Sequence, residues 1–267
     1  MIRHPAVAGQ FYPGSEQALR SELDRIIPDI ALKKDVTGVI SPHAGYLYSG
    51  QPAGQLLASI NIPKIVVILG PNHHGTGAIA ALSPDDSWQT PLGLVPIEKR
   101  LAGLIMKYLP AVQEDRVAHG REHSLEVQVP FLQYLRPDVS IVPVCLGFGD
   151  YEGCEILGKA LADAITDFAE PVLILASSDM THYESADSAK QKDSLALDRA
   201  LNLDAKGLVE VCRSNRISMC GVIPSAVMIV ASKLLGATAA DLVAYTNSGL
   251  VTGDMRQVVG YASVRVW

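Results

Sequence analysis

The 267-residue chain reads as an α/β protein, a single α/β/α sandwich whose mostly parallel central sheet is covered by helices on both faces. Three observations predict this. Short Val- and Ile-rich runs recur at 36–40, 65–69, 141–146, 172–176 and 242–245, continuous rather than alternating, as in strands buried on both faces. Helix-like stretches lie between them, so strand and helix alternate. No Ser-, Pro- or Gly-rich linker, charge block or repeat divides the chain, so residues 1–267 form one domain.

The elements follow in order. Helices are expected over 15–27, 50–60, 98–109, 124–135, 151–168, 186–201, 205–213 and 224–235. Two weaker strands, 79–82 and 92–96, flank a turn-rich segment and are expected to pair as a hairpin extension. Residues 257–266 form a terminal strand whose apolar residues offer an edge.

Composition narrows the function. Apolar residues make up 48% and charged residues 19%, and 22 Lys plus Arg against 28 Asp plus Glu leave a net charge of −6. Nucleic-acid binding rests on clustered cations, and no basic run exists. No apolar run approaches the ~20 residues of a membrane span, and Met1-Ile2-Arg3-His4-Pro5 lacks a signal-peptide core, which predicts a cytoplasmic protein. A chain of this size buries roughly 75% of its unfolded surface, so it needs no structural metal or disulfide. Cys145, Cys154, Cys212 and Cys220 show no paired spacing and are expected as free thiols.

In a sheet of this type ligands bind beyond the carboxyl ends of the strands. There the sequence concentrates chemistry: Ser41-Pro42-His43-Ala44-Gly45-Tyr46, Gly70-Pro71-Asn72-His73-His74-Gly75 and Ser177-Ser178-Asp179-Met180-Thr181-His182 each follow a strand. Each histidine alone has an ordinary explanation, a ring packed under a loop or bonded to a turn carbonyl. Their shared position favours convergence on a metal, for which imidazole is a good ligand. His43 and His74 form the first pair, with His73 behind them because adjacent residues rarely point at one ion. Cys220, just ahead of a helix with Pro224 in its first turn, is a candidate third ligand, since a helix N-terminus favours thiolate; a buried inert thiol is the alternative. His182 suits proton transfer, with Asp179 orienting it or joining the ligands. His123 and Glu126, one helical turn apart, and Tyr46 complete the candidate pocket. No Walker loop, Gly-x-Gly-x-x-Gly fingerprint or Gly-x-Ser-x-Gly elbow is present.

Six ordered strings carry a resemblance: Val7-Ala8-Gly9-Gln10-Phe11-Tyr12-Pro13, Pro42-His43-Ala44-Gly45-Tyr46, Gly70-Pro71-Asn72-His73-His74, Glu122-His123-Ser124-Leu125-Glu126, Ser177-Ser178-Asp179-Met180-Thr181-His182 and Cys220-Gly221. Over nearly the whole chain they resemble the Memo family, protein B of the AmmeMemoRadiSam system. The resemblance implies a fold like that of class III extradiol (LigB-type) dioxygenases, which use non-haem iron. It also implies His43, His74 and Cys220 as metal ligands and His182 with Asp179 in the same pocket, His182 at the catalytic-base position. One departure matters: a thiolate replaces the dioxygenase carboxylate, and thiolate suits copper or zinc as well as iron. The expected cofactor is therefore a metal ion, iron or copper ahead of zinc. Expected partners are a small-molecule or peptide ligand and companion radical-SAM and AMMECR-type proteins. The leading reading is a metal-dependent redox enzyme; the alternatives are a non-catalytic metal- or ligand-binding protein using the same pocket, and a metal-assisted hydrolase.

Overall fold

The computed structural model describes residues 1–267. A two-residue strand β1 (Ile2–Arg3) is followed by α1 (Glu16–Ile26), β2 (Gly38–Ser41), α2 (Tyr46–Ala58) and β3 (Ile65–Pro71). Next come β4 (Ala80–Leu82), β5 (Ser87–Thr90), β6 (Gly93–Pro96), α3 (Lys99–Tyr108), β7 (Gln113–Glu114) and α4 (Arg116–His119). A 3-10 turn (Glu126–Gln128) leads into α5 (Val129–Leu135), then β8 (Ser140–Leu146), α6 (Tyr151–Phe168) and β9 (Val172–Ser177). The chain closes with β10 (His182–Glu184), α7 (Ala186–Leu201), α8 (Ala205–Ser214), α9 (Val222–Leu234), β11 (Ala240–Asn247), α10 (Gly249–Thr252) and β12 (Val258–Val266). No helix is long and apolar enough to cross a membrane.

Nine strands form the main sheet in the order β10-β12-β2-β9-β3-β8-β4-β7, with β11 alongside β12. Its centre, β2-β9-β3-β8, is parallel, and β12 joins antiparallel to β2. The central strands feed two cores. Ile65, Val67 and Leu69 of β3 face one cluster with α6 and α9, while Val66 and Ile68 face the other with α1 and α2. This is the α/β sandwich that the continuous apolar runs predict, because a strand covered on both faces has no polar side to alternate with.

Three elements depart from expectation. Ala80–Leu82 is not half of a hairpin; it lies antiparallel to β8 in the main sheet, and β6 pairs instead with β5. β5 was hidden because Trp88 and Thr90 point inward while Ser87 and Gln89 do not, a short alternation in a polar context. The helix expected from Ser124 begins only after the 3-10 turn, so His123 sits in a loop and shares no helical face with Glu126. β11 is apolar yet has no fully buried residue, because it is an edge strand rather than a central one.

Glu126 anchors the N-terminal segment instead of lining a site. Its carboxylate accepts from Arg3 Nη1 at 2.7 Å, the Ala6 and Val7 amides at 2.8 and 3.0 Å, and the Tyr12 hydroxyl at 2.7 Å. Arg3 also donates to the carbonyls of His119 and Glu122, both at 2.9 Å, and lies over the Trp88 ring. Both charges are buried. Removing one strands the other, so Glu126→Ala is expected to cost about 3–5 kcal/mol in urea unfolding. A loss below about 1 kcal/mol would show that the pair is not the anchor.

Candidate metal centre

The loop after β2 carries His43, whose ring is fixed by its neighbours. Its amide donates to Asp179 Oδ1 at 2.7 Å, and its Nδ1 meets Ser177 Oγ at 2.9 Å. The Ser177 hydroxyl gives its only proton to the Ser124 carbonyl at 2.6 Å and also accepts from Gln128 Nε2 at 2.9 Å. It must therefore accept from His43, so Nδ1 carries the ring proton and Nε2 presents a lone pair. That lone pair faces Cys220 Sγ at 3.2 Å. Tetrahedral coordination by one nitrogen and one sulfur would set the two about 3.5 Å apart.

Cys220 reaches this point because the chain after β9 packs directly against the turn before α9. A Cβ on Gly221 would collide with the Ser177 carbonyl and Ser178, so glycine permits the approach. Cys220 Sγ accepts the Asp179 amide at 3.2 Å. Burial, and then the nearby Asp179 carboxyl, push the thiol up from its ordinary range. Helix position alone therefore does not make it a thiolate; a bound cation would be required.

The loop after β3 supplies His73, not His74. Glu122 accepts from the His73 amide at 2.7 Å and pairs with its Nδ1 at 2.9 Å, turning the ring inward. His74, exposed like His73, has Nε2 bonded to the Arg121 carbonyl at 3.0 Å and does not line the cavity. His73, expected as the support, thus lines the cavity, and His74, expected as the ligand, does not, because the Glu122 carboxylate selects which of the two neighbours turns in. His123 stacks on His73 with centroids 4.7 Å apart and meets His43 edge-on at 5.5 Å. One ligand nitrogen from each of His43, His73 and His123 lies within 4.8 Å of the others.

His182 stands across the cavity. Its amide donates to Ser218 Oγ at 2.8 Å and its Nδ1 to the Ser218 carbonyl at 3.0 Å, which leaves Nε2 unprotonated. Ser218, not Asp179, therefore orients this ring. Asp179 lines the cavity but is bound to the loop amides around His43; burial lifts its carboxyl to about 7 against the pull of the His43 and Ala44 amides. Phe11, His43, His73, His123, Asp179, His182, Tyr48, Tyr183 and Tyr261 are among the residues enclosing a cavity of about 440 Å³. Tyr46 lies outside that lining, its hydroxyl donated to the Val127 carbonyl at 2.7 Å, so it braces the wall from behind.

Sequence reasoning missed Glu122, Ser177 and the aromatic walls. Glu122 was legible as a carboxylate directly before His123. Ser177 and Gln128 carry no sequence signal, since their value lies in a hydrogen-bond count that only the fold creates. Burial raises the Glu122 carboxyl, but bonds from His73 and Ser124 outweigh it and hold the group well below the usual carboxylate range.

A family model described as Memo-like protein matches residues 3–265. The MEMO1 family protein of Methanopyrus kandleri is 41% identical over 99% of this chain and 98% of its own length. That of Methanosarcina mazei is 42% identical over 99% of each chain, and that of Aquifex aeolicus 41% over 97% of each. The crystal structure of an uncharacterized Escherichia coli K12 protein superimposes with a TM-score of 0.57 at 17% identity, covering 86% of this chain and 98% of that one.

Burial and neighbouring imidazoles push His43 well below 6.5, and burial takes His123 to about 4. Unfolding restores ordinary values, so the unfolded chain binds more protons below pH ~6.5 and these rings lose stabilising effect as pH falls toward about 4. Asp179, raised to about 7, acts in the opposite direction, its contribution lost as pH rises through that value. In ¹⁵N NMR of metal-free protein at pH ~5.5, His43 should be neutral with its proton on Nδ1, where an unperturbed imidazole would be mostly charged. A neutral ring protonated on Nε2 would contradict the Ser177 assignment, and a charged His43 would contradict the downward pull of burial on its pKa.

Proposed function

The chain belongs to the Memo-like protein family, and from that premise we propose that it is a metal-dependent redox enzyme that holds iron or copper between His43, His73, His123 and Cys220. The observation that carries the proposal is the convergence of three imidazole nitrogens within 4.8 Å, with a cysteine sulfur 3.2 Å from one of them. The donor set fits a first-row transition metal: neutral imidazoles with one soft thiolate suit iron, copper or zinc better than magnesium or calcium. Glu122 supports the fit, since a buried carboxylate on His73 Nδ1 is the usual outer partner of a metal-bound imidazole.

When bound, iron or copper would supply the change of oxidation state and a position for oxygen or another small molecule. The remaining chemistry belongs to the chain. Ser177 holds His43 Nε2 toward the centre and Glu122 does the same for His73. Cys220 would bind a cation as the thiolate, its proton released to solvent. His182 faces the same cavity with Nε2 unprotonated; desolvation lowers its pKa, which keeps it a base at neutral pH. It would take a proton from a ligand hydroxyl and return it after the reaction. Asp179 holds the His43 loop by accepting the His43 amide at 2.7 Å.

Two substitutions separate the ligand assignment from its sequence-based rival. His73→Ala should lower Fe(II) and Cu(I) affinity by at least about tenfold in anaerobic titration, and His74→Ala should leave it unchanged within about twofold. Equal losses, or a loss only in His74→Ala, would reject the assignment. His182→Gln should keep the metal but reduce turnover with oxygen by ~10²–10⁴; loss of the metal would make His182 a ligand instead.

A further inference from the structure

Tyr183 is held in a costly conformation at the mouth of the cavity. Its φ is +59°, the left-handed region that disfavours residues with a Cβ. Its side chain is 74% exposed, so it gains little from packing. The strain has a structural origin. Register against β12 shifts between His182 and Glu184, which pair with Val259 and Val258, and the residue between them is turned out as a bulge. Both flanks are pinned, His182 by two bonds to Ser218 and Glu184 by Ser188 Oγ and Lys192 Nζ.

Glycine would adopt this backbone without penalty, and a short polar residue would suit the exposure. An aromatic ring is the choice that stability alone does not favour. Strain kept at a cavity mouth is a sign of use. Tyr183 meets the His182 ring at 5.8 Å, and Phe11, Tyr48 and Tyr261 supply further aromatic walls. No lysine or arginine lines the cavity, and its one acidic group, Asp179, is engaged by the His43 amide at 2.7 Å. An anion would meet no fixed cation from the chain. An uncharged planar ring would find aromatic faces on several sides.

We propose that Tyr183 is a specificity-determining residue that stacks on an uncharged, planar aromatic ring of the ligand as it enters the cavity. This rests on the reading of the cavity as the site of reaction, but the contact needs no metal.

The test uses the metal-free full chain and follows binding of 2-naphthol by competition-corrected fluorescence, with decahydro-2-naphthol as the saturated analogue and naphthalene-2-sulfonate as the anionic one. Wild type should bind 2-naphthol at least about tenfold tighter than either analogue. Tyr183→Phe should stay within about twofold of wild type, and Tyr183→Gly should lose about tenfold. The melting temperature of Tyr183→Gly should rise by about 2 °C, since glycine relieves the left-handed strain. The proposal is overturned if wild type does not prefer 2-naphthol, if Tyr183→Gly binds as wild type does, or if Tyr183→Gly melts lower, which would make the ring a packing element. Failure here leaves the metal assignment standing, and failure of His73→Ala to weaken metal binding leaves this contact standing.

Discussion

The hydroxyl of Ser177 is the point on which the centre turns. It sits at the end of β9, between β2 and β3, and makes three hydrogen bonds in which only one role is free for each partner. Its proton goes to Ser124, so His43 must donate, and His43 Nε2 is left as a base aimed at Cys220. Gln128 locks the arrangement from the other side, accepting from Ser41 Oγ at 2.9 Å and donating to the Pro42 carbonyl at 2.9 Å. A buried polar lattice with every role assigned is rigid because each misplacement leaves a donor or acceptor unpaired at a cost of about 1–3 kcal/mol. Rigidity of that kind holds the loops after β2 and β3 so that His43 and His73 face a common point.

Charge burial organises the second half of the site. Glu122 turns His73 inward, and four residues later Glu126 turns away to clamp the N-terminal segment through Arg3. The two carboxylates share one stretch of chain and do opposite things: one faces the histidines, the other ties Ala6, Val7 and Tyr12 beneath them. Phe11 follows from that clamp, resting on His123 at 4.6 Å between ring centroids. The N-terminal segment thus forms one wall of the cavity although it contributes no ligand.

Much of this architecture was legible in the sequence. Apolar runs at 65–69, 141–146 and 172–176 mark the central strands because burial on both faces removes polar residues from them. The strand ends pointed to His43, Asp179 and His182, which line one cavity, and the family resemblance to Cys220, which lies against His43. The choice between His73 and His74 was not legible: two identical adjacent side chains differ only in which one a distant carboxylate captures. Glu126 was misplaced for a related reason, since the helix assumed to put it beside His123 starts only at Val129. The left-handed Tyr183 was beyond reach as well, because a bulge arises from register between β10 and β12 and leaves no trace in either strand alone.

In the proposed centre, imidazoles from two strand-end loops and the thiol of Cys220 meet at one ion. X-ray absorption at the metal edge of anaerobically loaded Fe(II) protein tests it directly. Nitrogen scatterers near ~2.0–2.1 Å with imidazole outer-shell features and one sulfur near ~2.3 Å are expected, the sulfur vanishing in Cys220→Ser. A shell of oxygens alone, with neither imidazole pattern nor sulfur, would contradict it.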